Sequence, residues 1–201
     1  PSLADPTVQS VVTQYVNQSA PLANKVIGVI QGNLLRESLL VSPLGEWTLG
    51  DVIADGQYDA THPAGFGGAA VAFMNPGGIR ADIVFNQQSG GEAPGEVTYG
   101  ELFTVQPFAN TLTVKTCTGA QIEQLLEQQW SVVPTGRFLQ ISSGFTYAWD
   151  ANKPNGDRID PASIKLNGVP LSPTTAYRVE MNSFLATGGD GFTVFNSCTD
   201  Q

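Results

Sequence analysis

The chain has 201 residues, 41% of them hydrophobic and 13% charged, with 22 glycines and 13 prolines. That apolar content excludes a disordered chain, and no apolar run approaches the roughly 20 residues that a bilayer crossing requires. Nine Lys plus Arg against eighteen Asp plus Glu leave a formal net charge of −9, which excludes nucleic-acid binding by general phosphate neutralisation. Any phosphate bound here is held by one or two placed groups.

The sequence begins Pro1-Ser2-Leu3, with no Met and no charged-then-apolar leader, so the expectation is a processed or cut chain from which targeting is not read. Few lysines and many Ser, Thr and Asn residues lean towards a secreted protein. Cys117 and Cys198 are either a disulfide closing a loop of about 80 residues or two semi-buried thiols. Neither lies in a C-x-x-C pattern or near the only histidine, so thiol-redox and metal readings are poor.

Asp5-Pro6 starts a helix, with an acceptor at the N-cap and proline at the first position. Val8, Val11, Val12, Tyr15 and Val16 follow at helical spacing, predicting one packed apolar stripe. Leu49, Val52 and Ile53 predict a second helix. Residues 69–74 read as a buried strand stopped by Asn75-Pro76-Gly77-Gly78, and residues 81–85 as another strand. A polar, Gly-rich loop over 86–95 precedes Thr98, which caps a short helix through Leu102 and Phe103.

Leu112, Val114 and Thr116 alternate as a strand. Thr118 and Gln121 form a capping-box pattern for a helix burying Ile122, Leu125, Leu126 and Trp130. Phe145, Tyr147 and Trp149 predict a long strand, and Asn167-Gly168 a tight hairpin. Tyr177, Val179 and Met181 predict a last strand leading into a Gly-rich turn over 187–191. Strands and helices without βαβ regularity give an α+β domain with a mixed sheet flanked by helices.

Gly65, Gly67 and Ala70 match a dinucleotide fingerprint in letters only, because no strand precedes and no helix follows. His62 sits beside a proline with no Ser or Cys nucleophile to serve. Gly77 and Gly78 after a buried strand suggest a nest of backbone N–H groups for an anion, with Arg80 behind it as a planar fork. Pro107 places Phe108 at an irregular corner. Phe184 precedes a Gly-framed carboxylate, Asp190, which offers acceptors to a diol. Each feature alone has a bland explanation, as a turn, a core ring or a surface charge. Together they describe sites for a phosphate, a base and a ribose.

Three stretches carry a resemblance: N-x-G-G-I-R at 75–80, T-Y-G-E-L-F-T-V-Q-P-F-x-N-x-L at 98–112 and N-S-F-L-A-T-G-G-D-G-F at 182–192. They resemble the C-terminal domain of the 5'-nucleotidase family, which includes ecto-5'-nucleotidase, UDP-sugar hydrolase and 2',3'-cyclic-nucleotide phosphodiesterases. The likeness runs over residues 46–195. It implies that Asn75 and Arg80, with Gly77 and Gly78 in their turn, contact phosphate and ribose. It implies further that Phe108 and Phe184 sandwich the base, that Asp190 accepts from ribose hydroxyls, and that Ser143 and Gly144 line the same cleft. A phosphate-binding arginine found in some members is missing at Pro43-Leu44-Gly45, and Arg36, the nearest cation, is not assigned its role.

The resemblance also implies a division of labour. Residues 1–30 would be a connector helix and entry segment, and 31–201 the nucleotide-binding domain. Hydrolysis in the family belongs to an N-terminal metallophosphoesterase domain with two divalent metal ions. With one histidine and no metal-spaced cluster, this chain is expected to hold no metal site and to be inactive alone. Both ends look trimmed against the family. The partners implied are a nucleotide or nucleoside and that N-terminal domain in cis, with no nucleic acid and no membrane span, in a secreted or surface-exposed hydrolase. The competing expectation is a non-catalytic small-ligand-binding or surface-attachment module with a retained cleft.

Overall fold

A computed structural model describes residues 5–36 and 44–200; the Pro1-Ser2-Leu3 start and Pro43 lie outside the described residues. In chain order the elements are α1 (Pro6–Ala23), β1 (Val26–Val29), α2 (Thr48–Thr61), β2 (Val71–Met74), β3 (Glu96–Thr98), α3 (Tyr99–Val105), β4 (Leu112–Thr118), α4 (Gly119–Glu127), β5 (Gln140–Ile141), β6 (Phe145–Thr146), β7 (Lys165–Leu166), β8 (Val169–Pro170), β9 (Ala176–Asn182), α5 (Ser183–Ala186) and β10 (Thr199–Asp200). The chain divides into two compact units, Pro1–Leu35 with Arg80–Pro107, and Arg36–Ile79 with Phe108–Gln201.

In the smaller unit, the Asp5 side chain accepts from the N–H groups of Thr7 and Val8 and Pro6 opens α1, as the cap signal predicts. The apolar stripe of α1 is exposed, however, with Val8 at 61% and Tyr15 at 66%. Helical spacing specifies a face, but only a neighbouring surface buries it, and none of the described residues covers this one. β1 and β3 form an antiparallel pair. The predicted strand over 81–85 reduces to a single bridge between Ile83 and Leu34. Thr98 and Glu101 complete a capping box at the start of α3.

The larger unit is built on a five-stranded mixed sheet in the order β10-β4-β9-β2-β5. Only β2 and β9 run parallel; the other pairs are antiparallel. Alternation along the strands divides the side chains between two faces. One face presents Val71, Phe73, Cys117, Val179 and Met181 to Ile122, Leu125 and Leu126 of α4 and to Trp130, Phe192 and Phe195. Thr118 and Gln121 form the predicted capping box of α4, so the helix begins where the strand ends.

The other face is covered by α2, which buries Leu49, Ala54, Gln57 and Thr61. Gln57 Nε2 reaches Met74 Sδ at 3.7 Å. Glu180 stands on this face, beside Ala72 of β2 and Val114 of β4. It is fully buried, and among the described residues neither carboxyl oxygen has a hydrogen-bond partner. Burial without a donor disfavours the charged form, which pushes its pKa up to about 8.

A second, three-stranded antiparallel sheet, β6-β7-β8, contains the predicted hairpin, with Asn167 at φ 51° and Gly168 at φ 79°. These are the left-handed conformations that a two-residue turn of this kind requires. Cys117 and Cys198 are joined as a disulfide spanning 81 residues.

Candidate functional site

Strand register brings four loops to one end of the larger sheet. β2 and β9 run parallel with Phe73 beside Met181, so their carboxyl ends, leading to Asn75 and Ser183, point the same way. Leu112, which begins β4, lies opposite Asn182. Gln140, which begins β5, lies opposite Met74. The segments 75–79, 183–191, 108–111 and 137–139 therefore leave the sheet side by side, at the edge where ligands collect in open sheets with parallel strands.

The segments that carry Phe108 and Phe184 are joined through Ser183. Ser183 N–H donates to the Thr111 carbonyl at 2.8 Å, Thr111 N–H donates to Ser183 Oγ at 3.2 Å, and Ser183 Oγ donates to Asn110 Oδ1 at 3.3 Å. Phe108 is 53% exposed and Phe184 45%. Neither ring is a core residue. Phe184 lies against Gly189, where a Cβ would meet its ring at 2.5 Å, so glycine there lets the ring settle on the backbone.

Four polar side chains form a linked chain beside these rings. Asn182 Oδ1 accepts from Leu185 N–H at 2.9 Å, which turns its Nδ2 towards Asn75 Oδ1 at 2.8 Å. Asn75 Nδ2 in turn donates to Asp190 Oδ2 at 2.8 Å. Arg137 Nη1 donates to Asp190 Oδ1 at 2.8 Å and to the Asp190 carbonyl at 3.1 Å. Asp190 adopts φ 56°, a conformation uncommon outside glycine, between Gly188 and Gly191. A carboxylate oxygen carries two acceptor sites, and each oxygen of Asp190 accepts one protein donor, so one site on each stays open.

The turn at Pro76–Gly78 uses two of its N–H groups internally. It is a 3₁₀ turn in which the Gly78 and Ile79 N–H groups donate to the carbonyls of Asn75 and Pro76, each at 3.1 Å. Its glycines also permit close packing. A Cβ on Gly77 would approach Asp190 Oδ2 at 3.0 Å, and one on Gly78 would strike Met74 Cε at 2.5 Å.

Asn75, Gly77, Gly78, Phe108, Phe184 and Asp190 thus share one end of the larger unit. Arg80 is an exposed residue of the smaller unit, its N–H donating to the Val105 carbonyl at 2.8 Å. Ser143 and Gly144 are not brought to the cluster. Ser142 N–H donates to the Ala72 carbonyl at 3.1 Å, which places Ser143 and Gly144 at the amino end of β2, opposite Asn75. Ser143 N–H and Oγ donate to Asp55 of α2 at 2.6 and 2.7 Å, and Gly144 supports the hairpin by accepting from Asn167 N–H at 2.7 Å. A strand reversed in direction carries its far end away from the site, and the sequence does not reveal that reversal.

Two contributors escape sequence reasoning. Arg137 is a single cation in a Pro134-Thr135-Gly136-Arg137 turn, and its partner is 53 residues away. Arg36 Nη1 donates to the Ile79 carbonyl at 3.2 Å, just past the glycine turn. No pattern in the sequence marks either contact. His62 is the C-cap residue of α2, with Nδ1 2.9 Å from the Ala69 carbonyl and its ring stacked on Tyr58. Among the described residues no group of three or more His, Cys, Asp and Glu side chains could hold a metal ion.

The larger unit is thus a mixed-sheet α+β fold that presents two aromatic rings and an oriented carboxylate at one end. The family model described as the 5'-nucleotidase C-terminal domain matches residues 26–197, and the chain belongs to that family. It is 34% identical over 202 residues to the trifunctional nucleotide phosphoesterase protein YfkN of Bacillus subtilis, covering 97% of this chain and 13% of that protein. It is 35% identical over 188 residues to the cell wall protein Lmo0130 of Listeria monocytogenes, covering 93% of this chain and 23% of that protein. The crystal structure of a 5'-nucleotidase precursor from Thermus thermophilus superposes with a TM-score of 0.75 at 33% identity, covering 96% of this chain and 36% of that one. The chain therefore spans well under half the length of these relatives.

Proposed function

We propose that the larger unit binds the nucleoside part of a nucleotide for a metal-dependent 5'-nucleotidase-type phosphoesterase. The base stacks between Phe108 and Phe184, and the ribose hydroxyls donate to Asp190. The metals that would activate water belong to an N-terminal metallophosphoesterase domain in cis, with residues 1–30 as the connector to it and 31–201 as the binding domain. Relatives named as a nucleotide phosphoesterase and a cell wall protein support nucleotide breakdown at an extracellular or surface location.

One observation carries this reading: two half-exposed phenylalanines leave the sheet beside a carboxylate with one open acceptor site on each oxygen. Phenyl rings accept any base face, and stacking contributes about 1–3 kcal/mol per base. Titration of the chain with adenosine and AMP, followed by NMR, tests it. Phe184→Ala is expected to weaken binding by roughly 5- to 150-fold, and Phe108→Ala comparably. Titrations indistinguishable between wild type and both variants would contradict the base sandwich.

A further inference from the structure

Asp190 is held from two flanks. Its backbone is left-handed, and one nitrogen of Arg137 grips both its carbonyl and its Oδ1. The guanidinium and the carboxylate keep 29% and 19% of their side-chain surface exposed, and ion pairs near the surface contribute little to stability. What the double contact does determine is the direction in which the carboxylate points. Asn75 holds Oδ2 from the other flank, so the carboxylate plane cannot rotate while both donors are in place.

Arg137 is itself rigidly mounted. Its N–H donates to the Gln129 carbonyl at 2.6 Å. The Gln129 side chain is buried and accepts from Leu139 N–H at 2.9 Å and from the Tyr147 hydroxyl at 3.1 Å. The preceding Gly136 packs under the Phe138 ring and beside Trp130 Nε1. The cation therefore projects from the aromatic core rather than from a loose loop tip.

We infer that Arg137 is a positioning residue that orients the Asp190 carboxylate for a cis-diol, and that it thereby makes the site select ribonucleosides over 2′-deoxyribonucleosides. The inference rests on the nucleoside reading above. A cis-diol offers two donors side by side, and the open acceptor sites on Oδ1 and Oδ2 receive them only when the carboxylate plane is held. A 2′-deoxyribose offers one donor and leaves one acceptor unused. Without Arg137 the carboxylate turns about its last torsion with Asn75 as its single support, and the second hydroxyl loses its advantage. Base stacking on Phe108 and Phe184 is untouched.

The test is a pair of titrations, adenosine and 2′-deoxyadenosine, into the wild-type chain, Arg137→Ala, Arg137→Lys and Phe184→Ala. The wild type is expected to bind adenosine roughly tenfold more tightly, the scale of one hydrogen bond to a charged group. Arg137→Ala brings adenosine down to the level of 2′-deoxyadenosine while leaving the latter unchanged, and Arg137→Lys restores part of the ratio. Phe184→Ala lowers both ligands together. Equal wild-type affinity for the two nucleosides, or equal weakening of both in Arg137→Ala and Arg137→Lys, overturns the inference and leaves the base sandwich standing. Failure of the folded wild type to bind either nucleoside overturns the nucleoside reading and the inference with it.

Discussion

Between pH 5 and pH 9 the larger unit is expected to lose about 4 kcal/mol of stability through one side chain, Glu180. Its carboxyl is fully buried with no donor to either oxygen among the described residues, and burial moves its pKa from 4.5 to about 8. The folded state therefore holds this proton more tightly than the unfolded state does. Between the two values the folded form binds more protons, so stability falls as pH rises, by about 1.4 kcal/mol for each pH step of one. The contribution is complete below about pH 4.5 and gone above about pH 8.

Among the described residues no donor on a facing element compensates. α2 presents Ala54 and Gln57, β2 presents Ala72 and β4 presents Val114. Arg178, two residues earlier on the same strand, donates to the Gly67 carbonyl and Thr116 Oγ1. Glu180→Gln keeps the shape and removes the titration. Urea unfolding of wild type and Glu180→Gln at pH 5, 7 and 9 is expected to give a difference in favour of the variant that grows with pH. A difference that stays constant across that range would contradict the assignment.

Breaking the Cys117–Cys198 bridge is expected to be comparably large. Cys117 lies in β4 within the core, and Cys198 precedes β10, the neighbouring strand that pairs with β4. The bond closes a loop spanning 81 residues and removes conformations from the unfolded chain, which stabilises the fold by about 4–5 kcal/mol in the chain-entropy model. At this chain length each kcal/mol corresponds to roughly 2–4 °C. The double variant Cys117→Ala/Cys198→Ala should melt at least about 8 °C lower, and reduced wild type should follow it. A change within the error of calorimetry would mean that the unfolded chain is already compact between these positions.

Local signals are the most legible part of the fold. Asp5-Pro6, Thr98 with its helix, Thr118 with Gln121, and Asn167-Gly168 act through bonds within a few residues, and all four appear where the sequence places them. Signals that depend on a distant partner succeed for β2, β4 and β9 and fail in two places. Phe145, Tyr147 and Trp149 alternate, yet the strand is only Phe145–Thr146, because Ala148 N–H donates to Ser163 Oγ at 2.8 Å instead of to a neighbouring strand. The α1 stripe has the right period and no cover among the described residues. At the candidate site the rings and Asp190 are legible through the family motifs. Arg137 is not, since a salt bridge across 53 residues leaves no periodic trace. The Gly77-Gly78 pair is ambiguous for a third reason: glycine permits many turns, and here it also allows close approach of Asp190 and Met74.

For the nucleoside reading to hold, the rings of Phe108 and Phe184 and the carboxylate of Asp190 must act on one ligand. A crystal structure of the chain grown with adenosine or AMP tests this most directly. The expected result is a base lying between the two phenyl rings, with both ribose hydroxyls within hydrogen-bond distance of Asp190. A nucleoside seated elsewhere, for instance in the dent of about 270 Å³ lined by Glu46, Tyr147 and Trp149, with the two rings bare, would contradict it.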